Sequence, residues 1–227
     1  MTRKIPLAAY VVIAVVHLGA QVAGSTGLAG VTQALLMPAL AVFLITHGLD
    51  TRLRKLTLLA LTFSWVGDLF PRFLHGDAAF MGMIVAFLCA QVSYIAAFRP
   101  YAARSVLRTP RVIPYVVVLL ALVAICAPGA GALAPAVVVY GLSLLTMAAL
   151  ATGVNRLTTV GGAVFVVSDS LIALDAFVKH WPLHDPVQPT AVMATYVVAQ
   201  ALLTLGVLRH EGTAGAERQE AEEQVTP

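Results

Sequence analysis

Long apolar runs follow one another from Ile5 to Leu208, separated by short connections that carry Gly, Pro and Arg. A membrane-spanning helix needs about 20 mostly apolar residues. Eight segments meet or approach that length: 5–23, 28–47, 56–70, 78–98, 112–127, 133–150, 158–178 and 188–208. The third and fifth are short as drawn, and any extension runs into flanks that hold Pro71 and Pro114. Such a chain cannot bury its apolar surface as a water-soluble globule. Its residues are 59% hydrophobic and only 11% charged, against about 25% charged in soluble domains. The expected fold class is all-α: a polytopic transmembrane helical bundle of about eight spans, one domain over 1–208.

The charges test that count. With eight spans and a cytoplasmic start, the inner segments hold Arg3, Lys4, Arg52, Arg54, Lys55, Arg99, Arg104, Arg108, Arg111, Arg156, Arg209 and Arg218, which is 12 of the 14 basic residues. Only Arg72 and Lys179 fall outside. This is the bias of the positive-inside rule, and removing one interior span would scramble it. Both termini are therefore expected in the cytoplasm. The basic residues, and a sequence pI near 9.1, are explained by topology and lipid headgroups, not by nucleic acid. The basic start with its apolar run has the look of a secretory signal, but only further apolar segments follow, so it is read as a retained first span. From residue 209 the chain turns polar and acidic, as expected of a solvated, disordered cytoplasmic tail over 209–227.

Several chemistries find no support. No Gly-rich phosphate loop, HExxH or GxSxG is present, which argues against zinc proteases and serine hydrolases with a nucleophile elbow. Cys89 and Cys126 stand alone in apolar runs and read as packing residues. The six histidines are dispersed, mostly near span ends, and only His75, His180 and His184 could gather, at the outer face. No metal or other cofactor is expected.

Two carboxylates are harder to explain away. The run 159–177 carries Ser168, Asp169 and Ser170 near its middle, and Ser64 and Asp68 lie four apart, hence on one helix face, in 61–70. A carboxylate in hydrocarbon costs about 2.5–3.5 kcal/mol even on insertion scales. At ~1.5 Å per residue, Asp68 and Asp169 both lie ~17–18 Å from the inner surface. Tyr140 and Tyr196 reach ~18–20 Å, with Gln200 one turn below Tyr196 and Gln91 and Tyr94 lower still. A polar layer near midplane thus draws on several helices. Ser64, Ser93, Ser143 and Thr146 are ordinary interhelical hydrogen bonders, as Gln and Tyr can be, but such glue does not call for an acid. Asp175 lies nearer the outer surface as an interfacial partner for Lys179. Asp50, Asp77 and Asp185 read as solvated loop residues, and Gly161-Gly162 as a site of close helix approach.

With these residues placed, the sequence resembles the YhhN family of integral membrane proteins, which includes the lysoplasmalogenases. The segments that carry the resemblance are LTFSWVGDLF at 61–70, FMGMIVAFLCAQVSYIAAF at 80–98, Tyr140 with Met147, GGAVFVVSDSLIALDAF at 161–177 and MATYVVAQALLTLG at 193–206. LLMPAL at 35–40 is similar to the family's Lys-Pro segment, with Met37 in place of Lys, and Gln91 stands where the family often has His. Met cannot bind a phosphate, and Gln carries no proton at neutral pH.

The resemblance implies hydrolysis of the vinyl ether bond of a lysoplasmalogen, a lysophospholipid or related ether lipid, to a fatty aldehyde and a glycerophospho head group. It also implies residence in a bacterial inner membrane. Protonation at carbon gives an oxocarbenium-like ion, water adds, and the hemiacetal collapses. Paired acids divide such roles in glycoside hydrolysis, which makes Asp68 and Asp169 the candidate catalytic pair. Ser64, Gln91, Tyr94, Tyr140, Ser168, Asp175, Tyr196 and Gln200 are the candidates for binding substrate or water. Two other functions fit the same carboxylates: a proton- or cation-coupled transporter, and a catalytically silent member of the family. The oligomeric state is not legible in the sequence.

Overall fold

A computed structural model describes residues 5–223, with side chains to Thr213. Arg3 and Lys4, and the last residues of the expected tail, lie outside the described residues. The backbone forms eight α-helices in chain order: α1 (Ile5–Val22), α2 (Thr26–Ile45), α3 (Arg52–Phe73), α4 (Gly76–Phe98), α5 (Ile113–Ala130), α6 (Ala134–Ala151), α7 (Arg156–Phe177) and α8 (Val187–Glu223). There is no strand among the described residues. Six helical segments are long and apolar enough to cross a membrane, one being the 42-residue run Pro110–Ala151 that holds both α5 and α6. The chain is thus a multi-pass membrane protein. α3 is not among the six, because Arg52, Arg54, Lys55, Asp68 and Arg72 lower its hydropathy, yet its Ala60 and Leu61 are fully buried.

The helices pair as consecutive antiparallel hairpins, α1 with α2, α3 with α4, α5 with α6 and α7 with α8. α3 touches α2 and α4, α6 bridges α4 and α7, and α8 closes the bundle against α1, α2 and α3. α5 is peripheral: it leans on α6 and α7, and buries only Cys126 and Ala130. Large apolar side chains such as Val15, Val117 and Leu120 point outward, as lipid-facing residues do, since lipid tails solvate them as well as a core would.

Helix ends and lengths follow local chemistry. α3 is longer than the expected span 56–70, because Thr51 caps it through Arg54 N–H and Pro71 falls in its last turn, where little helix remains to disrupt. Three short 3-10 turns over 99–112 bring the chain to α5, with Pro114 in the first turn of that helix, a position that needs no N–H. Pro38 inside α2 leaves the Ala34 carbonyl without its helical partner. Trp65 of α3 donates its indole N–H to that oxygen at 2.9 Å. In hydrocarbon a freed carbonyl costs several kcal/mol unless a neighbour satisfies it. Pro38 and Trp65 therefore fix α2 against α3 together. Tyr10 does similar work for α1, donating to the Val197 carbonyl of α8 at 2.7 Å.

The last helix does not end at residue 209. α8 continues as helix to Glu223, and its first residues past the span are docked. Glu211 pairs with Arg54 and accepts from Thr51, and the His210 ring meets Tyr101 edge-on at 4.7 Å.

Candidate active site

Both aspartates line one cavity of about 760 Å³, walled by α1, α2, α3, α4, α7 and α8. Each carboxylate is about 95% buried, at 5% exposure. Each is also held by a tyrosine from another helix. Tyr196 of α8 donates to Asp68 Oδ2 at 2.9 Å. Tyr140 of α6 donates to Asp169 Oδ2 at 2.7 Å, and Gln91 of α4 donates its Nε2 to the same oxygen at 3.1 Å. The Gln91 Oε1 is buried with no partner among the described residues, which leaves an acceptor beside Asp169.

The rings that set these groups are packed tightly. Phe87 and Phe165 meet Tyr196 edge-on at 5.7 and 6.0 Å. Gly67, next to Asp68, lets Phe87 in: a Cβ at that position would lie 2.8 Å from the ring. On α7, a Cβ at Gly161 would lie 2.9 Å from the Leu203 nitrogen, and one at Gly162 3.1 Å from the Ala148 Cα. The helix that carries Asp169 is thereby held against both α8 and α6.

The two carboxylates are not equivalent. A second, narrower crevice of about 70 Å³ opens between α4, α5, α6 and α7, and its walls are almost wholly apolar: Phe80, Ile84, Leu122, Val137 and Phe177 among them. Asp169 lines this crevice as well as the polar cavity, together with Met83, Phe87 and Ile172. Tyr140 lies on the crevice side only, and Asp68 and Tyr196 on the cavity side only. A hydrocarbon chain in the crevice and a polar group in the cavity would meet at Asp169.

The remaining candidates divide. Ser64, Tyr94 and Gln200 form a separate buried network one turn deeper, Tyr94 donating to Gln200 Oε1 at 2.7 Å and Gln200 Nε2 to Ser64 Oγ at 2.9 Å. None of the three lines either space. They hold α3, α4 and α8 together beneath the site. Ser168 lines the cavity but spends its hydroxyl on the Val192 carbonyl at 3.1 Å, joining α7 to α8. Asp175 makes no ion pair with Lys179 among the described residues; it lines the cavity instead. Asp185 lies in an exposed turn, as expected, and also lines the cavity.

Sequence reasoning missed the contribution of α1 and α2. Gln21 and Gln33 line the cavity, and Arg72 donates to Gln33 Oε1 at 2.6 Å. A lone Gln near a span end reads as glue, so the one available signal was Arg72, a cation on the side of the membrane where basic residues are scarce.

No curated protein and no solved structure matches the chain significantly. The model of the YhhN family matches residues 28–207, which takes in every helix of the site except α1. With that match over most of its length, the chain belongs to the YhhN family.

Proposed function

We propose that the protein hydrolyses the vinyl ether bond of a lysoplasmalogen-type lipid, releasing a fatty aldehyde and a glycerophospho head group. The observation that carries this reading is the place of Asp169 at the junction of an apolar crevice and a polar cavity. A vinyl ether sits at such a junction in the lipid itself, between its hydrocarbon chain and its head group. In this reading both termini are cytoplasmic and all eight helices cross an inner bacterial membrane, so that Gln33 in the cavity wall, and Arg72 bonded to it, lie toward the outer face.

In this mechanism the chain lies in the crevice, and protonated Asp169 delivers its proton to the vinyl carbon one bond removed from the carbon attached to oxygen. The oxocarbenium ion so formed is stabilised by the Asp169 carboxylate, which Tyr140 and Gln91 hold in place by donating to Oδ2. Water in the cavity attacks the cationic carbon and gives its proton to Asp68, which Tyr196 orients. The hemiacetal then collapses: its hydroxyl gives its proton to the Asp169 carboxylate, the C–O bond to glycerol breaks, and the glycerol oxygen takes the proton held by Asp68. Two carboxylates, one started protonated and one ionised, complete the cycle without net change. Gln91 stands where the family often has His, yet it retains a hydrogen bond to Asp169, so the acid keeps its support.

Purified protein in detergent is expected to release aldehyde from a 1-alkenyl lysophospholipid and none from its saturated 1-alkyl ether, which has no double bond to protonate. Absence of aldehyde from folded wild-type protein would overturn the reading, and ion-driven uptake into vesicles would then reassign the carboxylates to transport.

The tyrosines supply a finer test. Hydrogen bonds to a charged group contribute about 1.5–3 kcal/mol, so Tyr140→Phe is expected to lower kcat by roughly 10- to 100-fold. Tyr196→Phe is expected to lower it by a similar factor, through the water step. Each variant keeps the ring and its packing, so circular dichroism should match wild type. Unchanged kcat in both variants would remove the tyrosines from the mechanism.

A further inference from the structure

A third cavity, of about 380 Å³, lies at the outer ends of α1, α2 and α3 and in the turn before α8. It adjoins the catalytic cavity, sharing Gln21, Asp185 and Pro189 with it. Two opposite charges line it, Arg72 and Asp185. They do not pair: the one ion pair among the described residues is Arg54 with Glu211.

Arg72 has an ordinary role as a cation in the last turn of α3, where the helix dipole favours it. That role does not explain its course. The guanidinium is drawn across to α2, donating to Gln33 Oε1 at 2.6 Å, and it lies over Gly30, where any side chain would overlap it. Gly30 thus leaves room for the guanidinium, and Gln33 aims it along the wall that continues to Asp68. The remaining guanidinium N–H groups have no protein partner among the described residues. They face a cavity that also holds an exposed carboxylate at Asp185.

We propose that this vestibule is the head-group site and that it takes a zwitterionic phosphodiester, with the phosphate on Arg72 and the ammonium group beside Asp185. The assignment rests on the reading of the protein as a lipid hydrolase. A planar guanidinium is suited to a phosphate because it donates two parallel hydrogen bonds. Two unpaired opposite charges in one cavity select a ligand that carries both signs. Neither a neutral glycerol ether nor a plain phosphate monoester satisfies both. Met37, at the position of the family's Lys-Pro segment, is fully buried and lines none of the three cavities, so in this chain the phosphate contact falls to Arg72.

Binding, not turnover, tests this. The probes are three saturated ether lipids with one matched alkyl chain: a 1-alkyl glycerophosphocholine, a 1-alkyl glycerol phosphate and a 1-alkyl glycerol. Their affinities for the full chain in nanodiscs are read by competition against a labelled phosphocholine ether. Wild type is expected to bind the phosphocholine ether roughly tenfold or more tighter than the alkyl glycerol. Arg72→Gln should erase that preference while leaving alkyl glycerol affinity unchanged. Asp185→Asn should erase the preference for phosphocholine over the phosphate monoester. Equal wild-type affinity for all three probes would overturn the proposal, as would an Arg72→Gln loss that falls equally on all three. Because the probes cannot be hydrolysed, a head-group preference without aldehyde release would retain the site and sink the hydrolase reading; aldehyde release without the preference would do the reverse.

Discussion

Asp169→Asn is expected to lower aldehyde release by about 10²- to 10⁴-fold, as for the loss of a general acid, while the protein stays as stable as wild type. The two halves of this result have one cause. Asn is isosteric, and its amide oxygen still accepts from Tyr140 and Gln91, the two donors that hold Asp169 now. The fold therefore loses no contact. The group that Asn replaces is 5% exposed and protonated at rest in the proposed mechanism, so a neutral amide takes the place of a neutral acid. What it cannot keep is a transferable proton at the mouth of the apolar crevice. Asp68→Asn should behave in the same way, with Tyr196 still donating to the amide oxygen. Aldehyde assays beside thermal unfolding of each variant decide the matter. If the aspartates merely joined helices, activity would survive both substitutions. Loss of function at undiminished stability is the mark of a group retained for chemistry.

How far the sequence foretold this site depends on which physical quantity each residue needed. Depth was legible, because a helix advances by a fixed rise: Asp68, Asp169, Tyr140 and Tyr196 were placed near one level, and the structure brings these four round two adjoining spaces, while Gln91, placed lower, reaches up to Asp169. Azimuth and helix order were not. Nothing in the chain said that Tyr140 would serve Asp169 and Tyr196 Asp68, since short hairpin connections permit several arrangements of the same spans. The same ignorance put Gln200 and Tyr94 in the site, when their hydrogen bonds close a network beneath it. Asp175 and Asp185 were read from local surroundings alone, as an interfacial pair member and a loop residue. They line cavities because α7 and the turn before α8 lie beside the ends of α1 and α2 that meet at the α1–α2 turn. Arg72 was the opposite case. Its charge on the sparse side of the membrane was visible, but its function required knowing that Gln33 and Gly30 lie opposite it.

Gly206→Val and Gly161→Val should cost both stability and activity, and so separate the scaffold from the chemistry. α7 carries Asp169, and α8 carries the tyrosine that holds Asp68. The spacing between these helices is set by contacts that exclude any Cβ. At Gly206 a Cβ would lie 2.6 Å from Thr158 Cγ2 and 2.8 Å from the Thr158 nitrogen; at Gly161 it would lie 2.9 Å from the Leu203 nitrogen. Backbone atoms cannot swing aside as a flexible side-chain tip can, so the helices must part. The first position also anchors the cap of α7: Asn155 accepts from Leu157 and Thr158 N–H and donates to the Gly206 carbonyl at 2.6 Å. Overpacking of this kind costs about 1–3 kcal/mol, and loss of a cap about 1 kcal/mol more. Separation of α7 from α8 would also pull Asp169 away from the cavity wall formed by Tyr196 and Asp68, although all three side chains remain. Thermal unfolding and aldehyde release should therefore fall together in both glycine variants, unlike the aspartate variants, where only the second falls. A Gly206→Val protein as stable and active as wild type would mean that the two carboxylates are positioned by something other than the α7–α8 contact.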